Sequence, residues 1–151
     1  MKDSNVECGA IILNKEMTKV IIVYQRLSNK WGLPKGHMTQ KEIKYKDKIS
    51  CAIRETKEET GLSLRENINC KIIGKFNMNN KNFFIFHLFE DKNNLHPIDT
   101  KEIISVRWIN LIDITDFIDY NASNRSLREL NKKKNILSNK IYKVQNNLLI
   151  N

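Results

Sequence analysis

The chain has 151 residues, enough for one domain with a sizeable core. Lys and Arg outnumber Asp and Glu by 26 to 17, a formal charge of +9 that favours polyanionic partners through phosphate attraction and counterion release. No run approaches the roughly 18 consecutive apolar residues of a membrane span, and three cysteines without a Cys-x-x-Cys pair argue against a disulfide scaffold. Met1 to Val6 has no apolar signal core, so the expectation is an intracellular protein, neither secreted nor membrane-bound.

Taken in chain order, Val6 to Asn14 and Thr18 to Arg26 are β-branched apolar runs around a short polar turn, and read as a hairpin. Trp31 to Gly36 follows as a short extended piece, because Pro34 disfavours helix at the residue before it. Ile49 to Thr60 has helical periodicity and stops at Gly61. Cys70 to Phe76, Asn82 to Glu90 and Glu102 to Ile109 are further strand candidates, and Leu111 to Tyr120 a short helix. Beyond it, Leu127, Leu130, Leu137, Ile141, Val144 and Leu148 recur at helical steps with Lys134 in the one polar gap. This predicts one long or two abutting amphipathic helices. From Arg125 to Lys143 the only acidic residue is Glu129, so the outer face is basic. It either tracks a nucleic-acid backbone or simply solvates a core-packing helix.

The chemistry concentrates in Arg54-Glu55-Thr56-Lys57-Glu58-Glu59-Thr60-Gly61-Leu62. At about 100° per residue Glu55, Glu58 and Glu59 share one arc, with Ile49, Ala52, Ile53 and Thr56 broadly opposite. The pattern predicts an apolar face on a sheet and three carboxylates converging outside it. Like charges at this spacing repel, so a cation must offset them. Hard oxygen ligands suit Mg²⁺ or Mn²⁺, which in turn bind phosphates.

Ahead of this run stand Gly32-Leu33-Pro34-Lys35-Gly36 and Glu42. The whole resembles the Nudix box, with Gly36, Glu42, Arg54, Glu55, Glu58, Glu59, Gly61 and Leu62 in its places. Two departures stand out. Eleven residues separate Glu42 from Arg54 where the family has seven, an apparent four-residue insertion within Ile43 to Ser50. Counting back from Arg54 would put Lys46 in the glutamate's place instead. Thr56 also stands where an apolar residue is usual.

The resemblance spans roughly Val6 to Phe117. It implies an α/β fold, an α/β/α sandwich on a mixed β-sheet; with the helical pattern beyond it, the expectation is a Nudix domain over 1–120 and a basic C-terminal helical extension over 121–151 packed on the same domain. It further implies that Glu55, Glu58 and Glu59 bind Mg²⁺ or Mn²⁺ with the Gly36 carbonyl, that Arg54 orients Glu55, and that Lys35 contacts phosphate. Glu102, before a strand containing Trp108, is similar to a glutamate that several Nudix groups use as metal ligand or general base. The implied reaction is hydrolysis of a phosphoanhydride in a nucleotide-containing substrate.

Two substrate classes remain. Val6 to Asn14, Cys51 to Glu55 and Glu102 to Trp108 look like the mRNA-decapping Nudix enzymes, which implies 7-methyl-GDP and 5′-monophosphate RNA as products and RNA bound along the basic C-terminal helix. Pro34-Lys35-Gly36-His37 resembles dinucleoside polyphosphate hydrolases, with His37 near phosphate. Other nucleotides, diphosphoinositol phosphates and a non-catalytic binding module complete the alternatives. Among the aromatics, alternation puts Phe84 and Phe86 on one strand face and Phe83 and Phe89 on the other. One pair belongs to the core; Phe84 and Phe86 are the candidate platform for a base.

Overall fold

The computed structural model describes residues 6–150, with side chains to 147; the expectations for Met1–Asn5, the Leu148 side chain and Asn151 lie outside the described residues. Seven strands form one mixed sheet: β1 (Glu7–Leu13), β2 (Lys19–Gln25), β3 (Lys30–Gly32), β4 (Lys35–His37), β5 (Cys70–Met78), β6 (Lys81–Leu88) and β7 (Ile103–Asn110). Among the described residues five α-helices accompany them, α1 (Gln40–Lys44), α2 (Lys48–Thr60), α3 (Ile114–Tyr120), α4 (Arg125–Lys132) and α5 (Lys134–Ile150), with a 3-10 turn at Leu111–Asp113 leading into α3. No described helix is long and apolar enough to cross a membrane.

The expected hairpin forms only at its base. β1 and β2 are antiparallel but pair at Leu13↔Val20 alone, then part. Into the opening comes β4, registered on β1 as Glu7↔His37, Cys8↔Gly36 and Gly9↔Lys35. On its other side β1 runs parallel to β6, from Cys8↔Asn82 to Leu13↔His87, while β2 pairs with β3 and β7. β1 is buried on both faces from Cys8 to Leu13, and such a strand is apolar whichever neighbours it takes. Pattern alone therefore does not choose its partners.

The sheet has a core on each side. Ala10, Ile12 and Ile21 pack with Cys51 and Ala52 of α2. Ile11, Leu13, Val20 and Ile22 pack with Leu127, Leu130, Leu137 and Ile141 of α4 and α5. This is the α/β/α sandwich. The C-terminal stripe is thus core, broken into two helices at Lys133, whose N–H closes the last turn of α4. Its other face leaves Arg128, Lys132, Lys134 and Lys143 exposed. The extended piece at Trp31–Gly36 divides at Leu33–Pro34 into β3 and β4. β5 and β6 join through Asn79 and Asn80, both left-handed (φ 56° and 63°), the geometry of a tight hairpin turn.

Candidate active site

α2 begins at Asp47, whose carboxylate accepts the Ser50 N–H, and ends at Gly61, left-handed at φ 78°. The helix is rotated from the amphipathic expectation. Its buried residues are Cys51, Ala52, Glu55, Thr56, Glu59 and Thr60, whereas Ile49 is exposed. So Glu55 and Glu59 turn toward β4 rather than away from the sheet, and only Glu58 looks outward. The cause is Gly36: any side chain there would collide with the Glu55 carboxylate. Thr56 is accommodated in its apolar position because its hydroxyl donates to the Ala52 carbonyl at 2.8 Å.

Arg54 ties the arrangement together. Its Nε and Nη2 donate to Glu42 at 3.1 and 3.0 Å, and Nη2 also to the His37 carbonyl at 2.8 Å. Nη1 donates to Glu55 Oε2 at 2.6 Å and lies 3.4 Å from Glu58 Oε2. Glu42, not Lys46, is thus the residue that contacts Arg54. The inserted residues are absorbed by α1 and its turn into α2, with Lys46 left-handed at φ 54° and the Asp47 N–H donating back to the Glu42 carbonyl at 2.8 Å. α1 itself escaped the sequence reading, although Thr39-Gln40-Lys41-Glu42 carries a capping-box signature that the structure realises.

Glu59 is 1% exposed, and its Oε2 has no hydrogen-bond partner; Oε1 accepts the Lys35 N–H at 3.3 Å. Burial, then the nearby Glu102 and Glu55 charges, push its carboxyl up to about 9. Burial, then Glu58, push Glu55 up to about 7 against the pull of Arg54. Burial and Asp99 also raise Glu102. Burial opposes ionisation of Glu42 too, but there the Arg54 bonds win and hold the carboxyl below its usual range.

As placed, no three His, Cys, Asp or Glu side chains among the described residues stand together as a finished ligand set, since Arg54 occupies oxygens of Glu55 and Glu58. The residues nonetheless fit a hard divalent cation. An orphaned buried carboxylate oxygen, two carboxyls held out of their ordinary ionisation range, and a glycine that leaves room beside them are what such an ion would satisfy.

Lys35 serves two sides of the sheet. Its N–H meets Glu59, while its Nζ is held at 2.9 Å by Glu7, which also holds Lys81 at 3.0 Å. Glu7 went unremarked in the sequence because its partner Lys81 comes close only through the parallel pairing of β1 with β6. Beside these groups opens a cavity of about 200 Å³ lined by Lys35, Lys81, Phe83, Asn124, Arg125 and Glu129 among others. His37 is exposed beside β4's end. The phenylalanine expectation needs correction. Phe84 and Phe86 are buried beneath α2, 7% and 0% exposed, so neither ring face is free to stack on a base. Phe83 is buried in the opposite core, where it also lines the cavity, and Phe89 is partly exposed.

A family model described as the NUDIX domain matches residues 4–130. The chain is 30% identical over 109 residues to m7GpppN-mRNA hydrolase of Saccharomyces cerevisiae, covering 71% of this chain and 11% of that protein. It is 33% identical over 125 residues to m7GpppN-mRNA hydrolase dcap-2 of Caenorhabditis elegans, covering 74% and 14%. It thus spans only a small part of the length of these relatives. Among solved structures, a C. elegans Ap4A hydrolase binary complex superposes with a TM-score of 0.62 at 19% identity, covering 90% of this chain and 98% of that one. The matched span includes the glycine, arginine and glutamates whose geometry is described above, and on that ground the chain belongs to the Nudix family.

Proposed function

We propose that the chain hydrolyses a phosphoanhydride bond in a nucleotide substrate, with capped mRNA the favoured one, cleaved to 7-methyl-GDP and 5′-monophosphate RNA. The observation that carries the hydrolytic reading is the unpartnered Oε2 of Glu59, buried beside Glu55 and the Gly36 cradle. Glu55, Glu58, Glu59 and the Gly36 carbonyl hold Mg²⁺ or Mn²⁺. When bound, the cation supplies positive charge to the phosphate oxygens, where phosphoryl transfer needs it most. Arg54 keeps Glu55 aimed and, with Glu42 behind it, opposes the repulsion between Glu55 and Glu58. Glu102, raised by burial and by Asp99, accepts the proton of the attacking water as the oxygen bonds phosphorus and the bridging P–O bond breaks. Lys35 contacts a phosphate oxygen, with His37, exposed two residues along β4, as a second contact.

The cavity beside Lys35 receives the nucleoside and phosphates on one side of the scissile bond: its amide and carboxylate groups suit a base edge, its Lys81 and Arg125 a phosphate. The exposed face of Arg128, Lys132, Lys134 and Lys143 supplies a track for an RNA backbone. The identities to two m7GpppN-mRNA hydrolases support this substrate. Pro34 to His37 favours dinucleoside polyphosphates as the second reading.

Parallel assay of long capped RNA, free cap dinucleotide and diadenosine polyphosphates with Mg²⁺ or Mn²⁺ tests the proposal. Preference for the long RNA, falling steeply with salt, is expected. Equal, salt-insensitive cleavage of the short dinucleotides overturns the RNA reading, and failure to release product from any of them overturns the hydrolase.

A further inference from the structure

We propose that Asp99 is the residue that registers Glu102 against the glutamate helix, a positioning residue for the reaction. The inference rests on the reading of Glu102 as proton acceptor. Glu102 lies just before β7 in a segment without regular structure, and its side chain has no hydrogen-bond partner within α2, so something else must fix its distance from Glu59. Asp99 makes both connections. Its backbone N–H donates to the Glu58 carbonyl at 2.9 Å, alongside that of Ile98 at 2.9 Å. Its Oδ1 accepts the N–H groups of Lys101 and Glu102, each at 3.2 Å. One residue thus grips the carboxyl end of α2 with its backbone and the peptide of Glu102 with its side chain.

The surrounding segment closes the frame. His96 donates its N–H to Thr60 at 3.1 Å, and the His96 carbonyl packs so closely on Gly61 that a side chain there would strike it. The Ile103 N–H donates to the Asp99 carbonyl at 3.0 Å, and the Glu102 carbonyl accepts the N–H of Arg26, the residue after β2, at 2.9 Å. Without the Asp99 carboxylate the Lys101 and Glu102 N–H groups lose their acceptor, and the segment keeps the Arg26 bonds to the Thr100 and Glu102 carbonyls and the Ile103 bond to Asp99. Small displacements of a reacting group are costly: an ångström is worth up to about a hundredfold in rate.

Asn at position 99 keeps an oxygen acceptor for the two N–H groups though not the charge that joins burial in raising Glu102, whereas Ala keeps neither. The test compares D99A, D99N, E102Q and D99A/E102Q. D99A is expected to lower kcat about ten- to a hundredfold with little change in KM, and D99N to restore most of it. Because Asp99 acts through Glu102, D99A should cost nothing further in the E102Q background. Amide hydrogen exchange on the metal-free protein gives a readout free of catalysis. The Lys101 and Glu102 amides should lose protection in D99A and keep it in D99N, while the interior of α2 is unchanged. Undiminished kcat in D99A, a full additive loss in the double variant, or unchanged exchange at 101–102 overturns the proposal. Wild-type kcat in E102Q instead sinks the reading of Glu102 on which its catalytic part depends.

Discussion

Glu42 accepts two hydrogen bonds from Arg54, one on each carboxylate oxygen at 3.1 and 3.0 Å, although the chain between them is four residues longer than the family's spacing. The extra residues form a turn beside the pair rather than stretching it. Side chains that support metal ligands from behind typically account for ten- to a hundredfold in affinity or activity. Glu42→Gln is therefore expected to lower kcat about tenfold, because Arg54 loses its anchor and Glu55 its fixed direction. Lys46→Ala should leave kcat within about twofold. Steady-state kinetics on both variants checks the assignment, and the reverse ranking would hand the position to Lys46.

Stability without metal should fall as pH rises. The unfolded chain releases the protons of Glu55 and Glu59 near their ordinary pKa of 4.5, while the folded state holds them until about 7 and about 9. Between those limits the unfolded state binds fewer protons, so each step up in pH favours unfolding. Melting scans of metal-free protein from pH 5 to 9 should show a declining Tm. Mg²⁺ or Mn²⁺ should raise Tm more at pH 8.5 than at pH 5.5, since it binds the ionised carboxylates. Glu59→Gln should flatten the decline and shrink the metal-induced gain. A metal-free Tm that rises across this interval would contradict the burial assigned to these carboxyls.

Gly36→Ala offers a substitution with small structural and large functional cost. The group it strikes is the flexible end of the Glu55 side chain, and the backbone at Gly36 is not in the left-handed region, so the fold should lose less than about 1 kcal/mol. Glu55 must swing off β4, however, and metal affinity should drop about ten- to a hundredfold. Calorimetric titration with Mn²⁺ beside a thermal melt separates the two effects.

The two faces of the C-terminal helices should respond independently. Leu130 is fully buried against the sheet, and Leu130→Ala should cost about 2–5 kcal/mol. Reversing the exposed charges of Arg128, Lys132 and Lys143 to Glu should lower Tm far less than Leu130→Ala, since it removes only the Lys132–Glu129 ion pair at 3.3 Å and the Arg128 hydrogen bond to the Ser123 carbonyl. If RNA lies along this face, the triple reversal weakens capped-RNA binding and reduces the slope of log affinity against log salt by roughly one per lost contact. Cleavage of short dinucleotides should be untouched. Equal binding before and after reversal would remove RNA from this surface.

What was legible in the sequence follows what is local. The spacing of Glu55, Glu58 and Glu59 and the stop at Gly61 announce α2, because both depend on residues within one or two turns. The direction those glutamates face was not legible. Helical periodicity assigns charges to solvent, and only the absence of a side chain at Gly36, nineteen residues earlier, lets Glu55 turn inward. Phe84 and Phe86 were misjudged for a related reason: β6 is covered on both faces, so its alternation separates two cores rather than core from surface. The Lys35–Glu7–Lys81 chain needed the parallel register between strands more than seventy residues apart.

The parting of β1 from β2 has a consequence for how the molecule is assembled. The strand that supports α2 takes its longest ladder from β6, beginning with Cys8↔Asn82. A nascent chain that has emerged as far as Gly61 already holds every residue of the acidic helix, yet lacks the neighbour that completes the platform beneath it. Closing so long a loop is entropically slow. The glutamate site should accordingly mature late on the ribosome, and a polypeptide released before Leu88 should be a target for quality control rather than a smaller folded domain.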